Sequence, residues 1–358
     1  MGGSRTLLSA GGHGVLQRYA EFLPLTQDTP PISLGEGGTP LVRSRRLEEI
    51  TGAREVWLKL EGCNPTGSFK DRGMVVAVAK AIEAGAHSVV CASTGNTSAS
   101  AAAYAARAGL KCAVIVAASK IAIGKLAQTR AYGTAVVSTD AEFDVGLQIA
   151  RELARRPGVA IVNSVNPHRL DGQKTAAFEL CDALGSAPDE LYIPVGNAGN
   201  ITAYWKGFRE YKEAGLSSDL PPMRGFQSEG AAPIVTGRPV EKPQTVASAI
   251  RIGNPASWKS AERARDESGG SIEAVTDEQI LDAYRLLAGD GVYAEPASAA
   301  CVAGLLDRAA RGLVRRDARI VCVITGSGLK DPEIVDRVAP EVLRAEPSVD
   351  AVASALGW

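Results

Sequence analysis

The chain has 358 residues, with 39 basic against 40 acidic side chains and a formal net charge of −1. That length supports two lobes with sizeable cores. No basic stripe points to nucleic acid, and no apolar run reaches membrane-spanning length.

Residues 1–50 read as an irregular arm ending in Glu36-Gly37-Gly38-Thr39-Pro40-Leu41. From about residue 54 a regular alternation starts. Short apolar, β-branched runs predict strands over 56–60, 88–91, 112–116, 135–137, 160–165, 191–195 and 319–324. Helical patterns lie between them over 97–109, which is alanine-rich, and over 143–156, 172–185 and 200–215. In the last, Ile201, Trp205, Phe208 and Tyr211 share one face and read as core. This alternation predicts an α/β fold of two interleaved lobes with mainly parallel sheets flanked by helices. The larger lobe is expected to hold 1–55 and 160–358, the smaller 56–159.

The six cysteines Cys63, Cys91, Cys112, Cys181, Cys301 and Cys322 lack C-x-x-C spacing. They read as buried free thiols, and with no secretory signal the expected location is the cytoplasm. The three histidines, His13, His87 and His168, fall in no metal-ligand spacing, and no nucleophile elbow or Walker loop is present. Lysine or carboxylates are therefore left to move protons.

Polar, glycine-rich segments after strands are where ligands bind in open parallel sheets. Four stand out. In Asn64-Pro65-Thr66-Gly67-Ser68-Phe69-Lys70-Asp71-Arg72 a turn runs into a helix, with Ser68 as the expected N-cap and Lys70 in the first helical turn. The helix dipole disfavours an ammonium there, which suits a lysine that forms a Schiff base. Ser93-Thr94-Gly95-Asn96-Thr97-Ser98 opens another helix with more polar groups than a cap needs, a nest for carboxylate or phosphate. Gly196-Asn197-Ala198-Gly199-Asn200 reads as a phosphate cradle without a lysine. After the last strand, Thr325 or Ser327 offers a neutral hydroxyl to a ring nitrogen. An imine-forming lysine, two anion sites and a hydroxyl are the partners that pyridoxal 5′-phosphate requires.

The chain resembles the threonine synthases, in fold type II of the pyridoxal-phosphate enzymes, the tryptophan synthase β family. The resemblance runs from Glu36 to Asp331. Serine/threonine dehydratases and cysteine synthases share the lysine turn and the cradle. More specific are Lys120-Ile121-Ala122-Ile123-Gly124-Lys125, residues 163–169 (Asn-Ser-Val-Asn-Pro-His-Arg), Gly172-Gln173-Lys174-Thr175, Ala203-Tyr204-Trp205-Lys206-Gly207 and residues 252–258 (Ile-Gly-Asn-Pro-Ala-Ser-Trp).

The resemblance implies that Lys70 carries the cofactor as a Schiff base and that Asn96 bonds its phenolic oxygen. Gly196, Asn197, Ala198, Gly199 and Asn200 would hold its phosphate, and Thr325 would face the pyridine nitrogen. Ser93, Thr94 and Thr97 would grip the substrate carboxylate. Lys120, Asn163, Ser164 and Arg169 would bind the substrate's own phosphate. The implied reaction converts O-phospho-L-homoserine and water into L-threonine and phosphate, in a homodimer. Either Lys70 or the departing phosphate could activate the water. Three positions depart from the pattern: Ala117-Ala118-Ser119 stands where relatives often have a Pro and a Gly, Ser327 replaces a frequent Asn, and Asp171 a frequent Glu. Two alternatives stay open: a paralogue acting on another amino acid, and an inactive binding protein on the same fold.

Overall fold

The structure is a computed structural model that describes residues 14–118, 123–140 and 143–358. Its described strands are β1 (Leu41–Arg43), β2 (Glu55–Leu60), β3 (Ser88–Ala92), β4 (Lys111–Ala117), β5 (Ala135–Thr139), β6 (Val159–Ile161), β7 (Glu190–Pro194), β8 (Met223–Ser228), β9 (Ser271–Val275) and β10 (Arg319–Ile324). They form a six-stranded sheet, β1-β2-β10-β7-β8-β9, and a four-stranded one, β5-β4-β3-β6. Every pairing is parallel except β1 with β2.

Helices cover both faces of the larger sheet, and β10 shows why its sequence has no polar alternation. Val321 and Val323 point into one core, while Ile320, Cys322 and Ile324 point into the other. A strand buried on both faces reads as a continuous apolar run.

The chain leaves the larger sheet after β2, builds the smaller sheet from β3 to β6, and returns at β7. The expected borders at 56 and 160 therefore each cut a strand. β2 belongs wholly to the larger sheet because it pairs with β10 along its length, Glu55 opposite Arg319 through Leu60 opposite Ile324. β6 closes the smaller sheet against β3.

The expected face of the helix Gly199–Glu213 is core: Ile201, Trp205, Phe208 and Tyr211 are buried, and Tyr211 stacks on Phe178 with ring centroids 4.1 Å apart. Elsewhere the pattern reading needs correction. The predicted helix over 172–185 is two, His168–Gln173 and Thr175–Leu184. The arm contains β1 and a helix, Arg45–Thr51, whose Ser44 N-cap accepts from the Leu47 amide and whose C-cap Gly52 has φ +72°. β8 and β9 were missed because their sequences, Met-Arg-Gly-Phe-Gln-Ser and Ser-Ile-Glu-Ala-Val, are half polar. Cys63 is exposed and Cys112 half-buried, unlike the other four thiols. No described helix is long and apolar enough to cross a membrane.

Candidate active site

β2, β10 and β7 are neighbours and parallel, so the loops after them emerge side by side at one end of the sheet. Those loops are the lysine turn, the Thr325 segment and the Gly196–Asn200 cradle. The first two are stitched together: Phe69 N donates to the Thr325 carbonyl at 3.0 Å, and Ser327 N to the Gly67 carbonyl at 2.9 Å. Gly67 makes the turn possible with φ +88°. The helix Lys70–Glu83 begins at the lysine itself, with Phe69 rather than Ser68 as N-cap. Ser68 Oγ instead accepts a long bond from Lys70 N, at 3.4 Å. Asp71 clamps the turn from behind. Its buried carboxylate accepts from Thr66 N (2.7 Å), Thr66 Oγ1 (2.6 Å) and Ser100 Oγ (2.6 Å).

Lys70 is half-buried, and its amine lies 4.4 Å from the Phe69 ring centroid. Burial first, and then the Arg169 charge, push it down to about 7, against the opposing pull of Glu295. Such an amine is about half neutral near pH 7, which supplies the nucleophile that an ordinary lysine does not. Arg169 is 1 % exposed; burial brings it down to about 10, so it stays cationic at neutral pH. Its Nη1 donates to the Val162 carbonyl at 2.8 Å, but its buried Nε has no protein partner. That Nε packs against Gly73, where a Cβ would come 2.9 Å from it.

The Ser93–Thr97 loop follows β3. The helix Asn96–Arg107 opens behind Gly95 with no side-chain cap, which leaves its first amides for a ligand. Ser93, Thr94 and Thr97 are half-buried around it. Asn163 also has a structural task. Its Oδ1 accepts from Ala92 N and its Nδ2 donates to Ala92 O, both at 2.9 Å, so the amide braces the end of β3. Ser164 beside it is half-buried, and Lys120 lies outside the described residues.

In the cradle, Ala198 takes φ +63° as N-cap of the helix Gly199–Glu213, again without a side-chain cap. A Cβ on Gly196 would come 3.0 Å from Ile250 Cα, so the backbone needs glycine there. The 252–258 segment docks on the cradle: Ala256 N donates to Asn197 Oδ1 and Ser257 N to the Asn197 carbonyl, both at 3.2 Å. Both polar side-chain atoms of Asn200 are buried without a protein partner. Free helix-end amides and an unsatisfied amide side chain fit a phosphate.

Thr325 is buried directly after β10, and Asn96 is 8 % exposed. A residue the sequence reading missed, Glu295, lies between them. Its Oε2 accepts from Asn96 Nδ2 at 2.9 Å and its Oε1 from Thr325 Oγ1 at 3.3 Å. The available signal was an acid directly before Pro296, at the entry of the helix Pro296–Ala310. The residues present thus fit pyridoxal phosphate: a poised lysine, a phosphate cradle, and an amide and a neutral hydroxyl for the ring. A cavity of 560 Å³ lies elsewhere. It is a charged cleft whose Arg224, Arg315 and Arg319 already pair with Glu190, Asp189 and Glu55.

Residues 32–326 match the family described as "Pyridoxal-phosphate dependent enzyme". A threonine synthase of Halalkalibacterium halodurans is 58% identical over 89% of this chain and 90% of its own. A threonine synthase of Mycobacterium leprae is 54% identical over 99% of this chain and 98% of its own. Among solved structures, a fungal L-serine ammonia-lyase from Rhizomucor miehei superposes with a TM-score of 0.73 at 23% identity, covering 84% of this chain and 96% of its own. That last likeness speaks to the fold alone. Fold and site together define a pyridoxal-phosphate-dependent enzyme of fold type II. Within that class, the chain belongs to the threonine synthases.

Proposed function

We propose that this enzyme makes L-threonine and phosphate from O-phospho-L-homoserine and water, by γ-elimination of phosphate and β-addition of water. When bound at Lys70, pyridoxal phosphate supplies an electron sink for charge developing on the substrate. The chain's own residues do the rest. The Lys70 amine, once displaced by the substrate amine, takes the Cα proton, for which a base near 7 is well matched. The Ser93–Thr97 loop offers helix-end amides and hydroxyls to the substrate carboxylate. Arg169, still cationic at neutral pH, meets the substrate phosphate and holds the leaving group's charge. The cradle around Asn200 binds the cofactor's phosphate, while Asn96 and Thr325 orient its ring.

One observation carries the substrate assignment: a buried guanidinium, still cationic at neutral pH, whose charge acts on the Lys70 amine. Turnover of O-phospho-L-homoserine compared with serine, threonine and O-acetylserine tests the assignment. Activity confined to the last three would overturn it. The proposal extends to a cytoplasmic homodimer, as the resemblance implies, and light scattering at twice the chain mass checks the dimer.

A further inference from the structure

Glu295 has no place in the reaction as described, yet it lies at the centre of the site. It is 3 % exposed and is the N-cap of the helix Pro296–Ala310, but its side chain makes no capping bond. The carboxylate turns away from its own helix. Room for it comes from Gly326, where a Cβ would come 2.6 Å from the Glu295 carboxyl. Its partner Asn96 opens the helix after β3 of the smaller sheet, whereas Thr325 follows β10 of the larger one. The contacts at 2.9 and 3.3 Å therefore join the two lobes through one carboxylate.

Ser298, one turn along, lies beside the Thr325 hydroxyl. Gly326 N donates to Ser298 Oγ at 3.0 Å, and Ser298 Oγ lies 2.9 Å from Thr325 Oγ1, where either hydroxyl can donate. The Ser298 hydroxyl also reaches the Gly326 carbonyl at 3.4 Å. Glu295 Oε1 accepts from the Thr325 hydroxyl at 3.3 Å, and burial pushes this carboxyl up against the lowering pull of Asn96 and Lys330. The charges facing this carboxylate are Lys70 and Lys330. Arg169 faces Lys70 as a like charge. Glu295 is thus the one acidic group acting on the Lys70 nitrogen among the described residues.

We propose that Glu295 is a positioning residue for the reaction: its carboxylate ties Asn96 to Thr325 across the lobes and sets a negative charge beside the Lys70 nitrogen. The inference rests on Lys70 carrying the cofactor. The negative charge holds a proton on that nitrogen against Arg169, and the two bonds fix the amide and hydroxyl that orient the ring. A residue that only braced the fold would affect stability and leave the nitrogen's proton affinity alone.

The test is a pH titration of the visible absorption band of the cofactor-loaded protein, for the parent, Glu295→Gln and Glu295→Asp. Glutamine keeps an acceptor for Asn96 but removes the charge. The band's titration midpoint is expected to fall by about 1 unit or more in Glu295→Gln, the size of an opposite charge a few ångströms away. It should fall by less in Glu295→Asp, which draws the charge back by one methylene. Should the glutamine variant not fold, the aspartate variant alone gives the sign. A midpoint that stays in place or rises overturns the proposal. A parent protein with no such band would instead overturn the Lys70 assignment beneath it.

Discussion

Arg169 lies against Gly73 so closely that a Cβ at position 73 would come 2.5 Å from the Arg169 carbonyl oxygen. The reverse contact is tighter still, since a Cβ on Gly172 would come 1.9 Å from the Arg72 carbonyl oxygen. Two glycines therefore set the crossing of the helices Lys70–Glu83 and His168–Gln173. That crossing brings a guanidinium from one helix beside the amine at the start of the other. Gly73→Ala and Gly172→Ala should each destabilise the protein by about 1–3 kcal/mol, the usual cost of overpacking a tight contact. Urea unfolding measures this, and parent-like midpoints in both would mean that the crossing is loose.

Arg169→Ala should raise KM for O-phospho-L-homoserine by about 10- to 100-fold, as expected for loss of a charge-assisted hydrogen bond. The same change should raise the Lys70 pKa, because the Arg169 charge is one of the two influences holding it down. Steady-state kinetics reads the first effect. Parent-like kinetics would remove Arg169 from the substrate site.

Capture of pyridoxal phosphate by cofactor-free protein should follow the neutral Lys70 amine. With Lys70 at about 7, the rate should level off above that pH and fall about tenfold per unit below it. A lysine at the ordinary 10.5 would instead keep gaining rate well into the alkaline range. Lys70→Ala should lose covalent capture, checked by borohydride reduction and peptide mapping.

Arg72, two residues beyond the lysine, is fully buried between two acids. It reaches Glu61 at 2.6 and 2.8 Å and Glu179 at 2.7 and 2.8 Å, while Lys59 reaches Glu179 at 2.7 Å. Burial works to raise Glu179, but Arg72 and Lys59 outweigh it and hold the carboxyl well below its usual range. Removing the cation alone leaves Glu61 buried without a cation and Glu179 with Lys59 only, so Arg72→Met should cost about 3–5 kcal/mol. A depressed carboxylate contributes stability that is present above its unfolded value of about 4.3 and fades as pH falls through the folded one. The stability of the parent should therefore fall with acid below that value, with a shallower slope in Glu179→Gln. Equal slopes would mean that this cluster does not govern acid stability.

How much of this was legible beforehand depended on which forces act locally. The span of β10 matches the predicted one residue for residue, because 320–324 is an uninterrupted apolar run between Arg319 and the Thr325-Gly326 turn. Lys70, Asn96 and the cradle were legible because each sits in a turn that needs particular residues at a helix start. Asn163 has a task that its sequence did not show, since polarity near a ligand segment looks the same whether or not it also holds the backbone of Ala92. Glu295 was invisible for a different reason. Its importance comes from contacts 199 and 30 residues away in sequence, to Asn96 and Thr325. Nothing within one turn of it announces those partners. The β8 strand was hidden by Gly225, which packing demands, since a Cβ there would come 2.8 Å from Val195.

The most direct test of the whole account is turnover of O-phospho-L-homoserine in water labelled with the heavy oxygen isotope. The account predicts phosphate and L-threonine in equal amounts, with the label in the threonine hydroxyl and none in the phosphate, because the bond broken is Cγ–O. Phosphate that carries the label, or phosphate released without threonine, would contradict it.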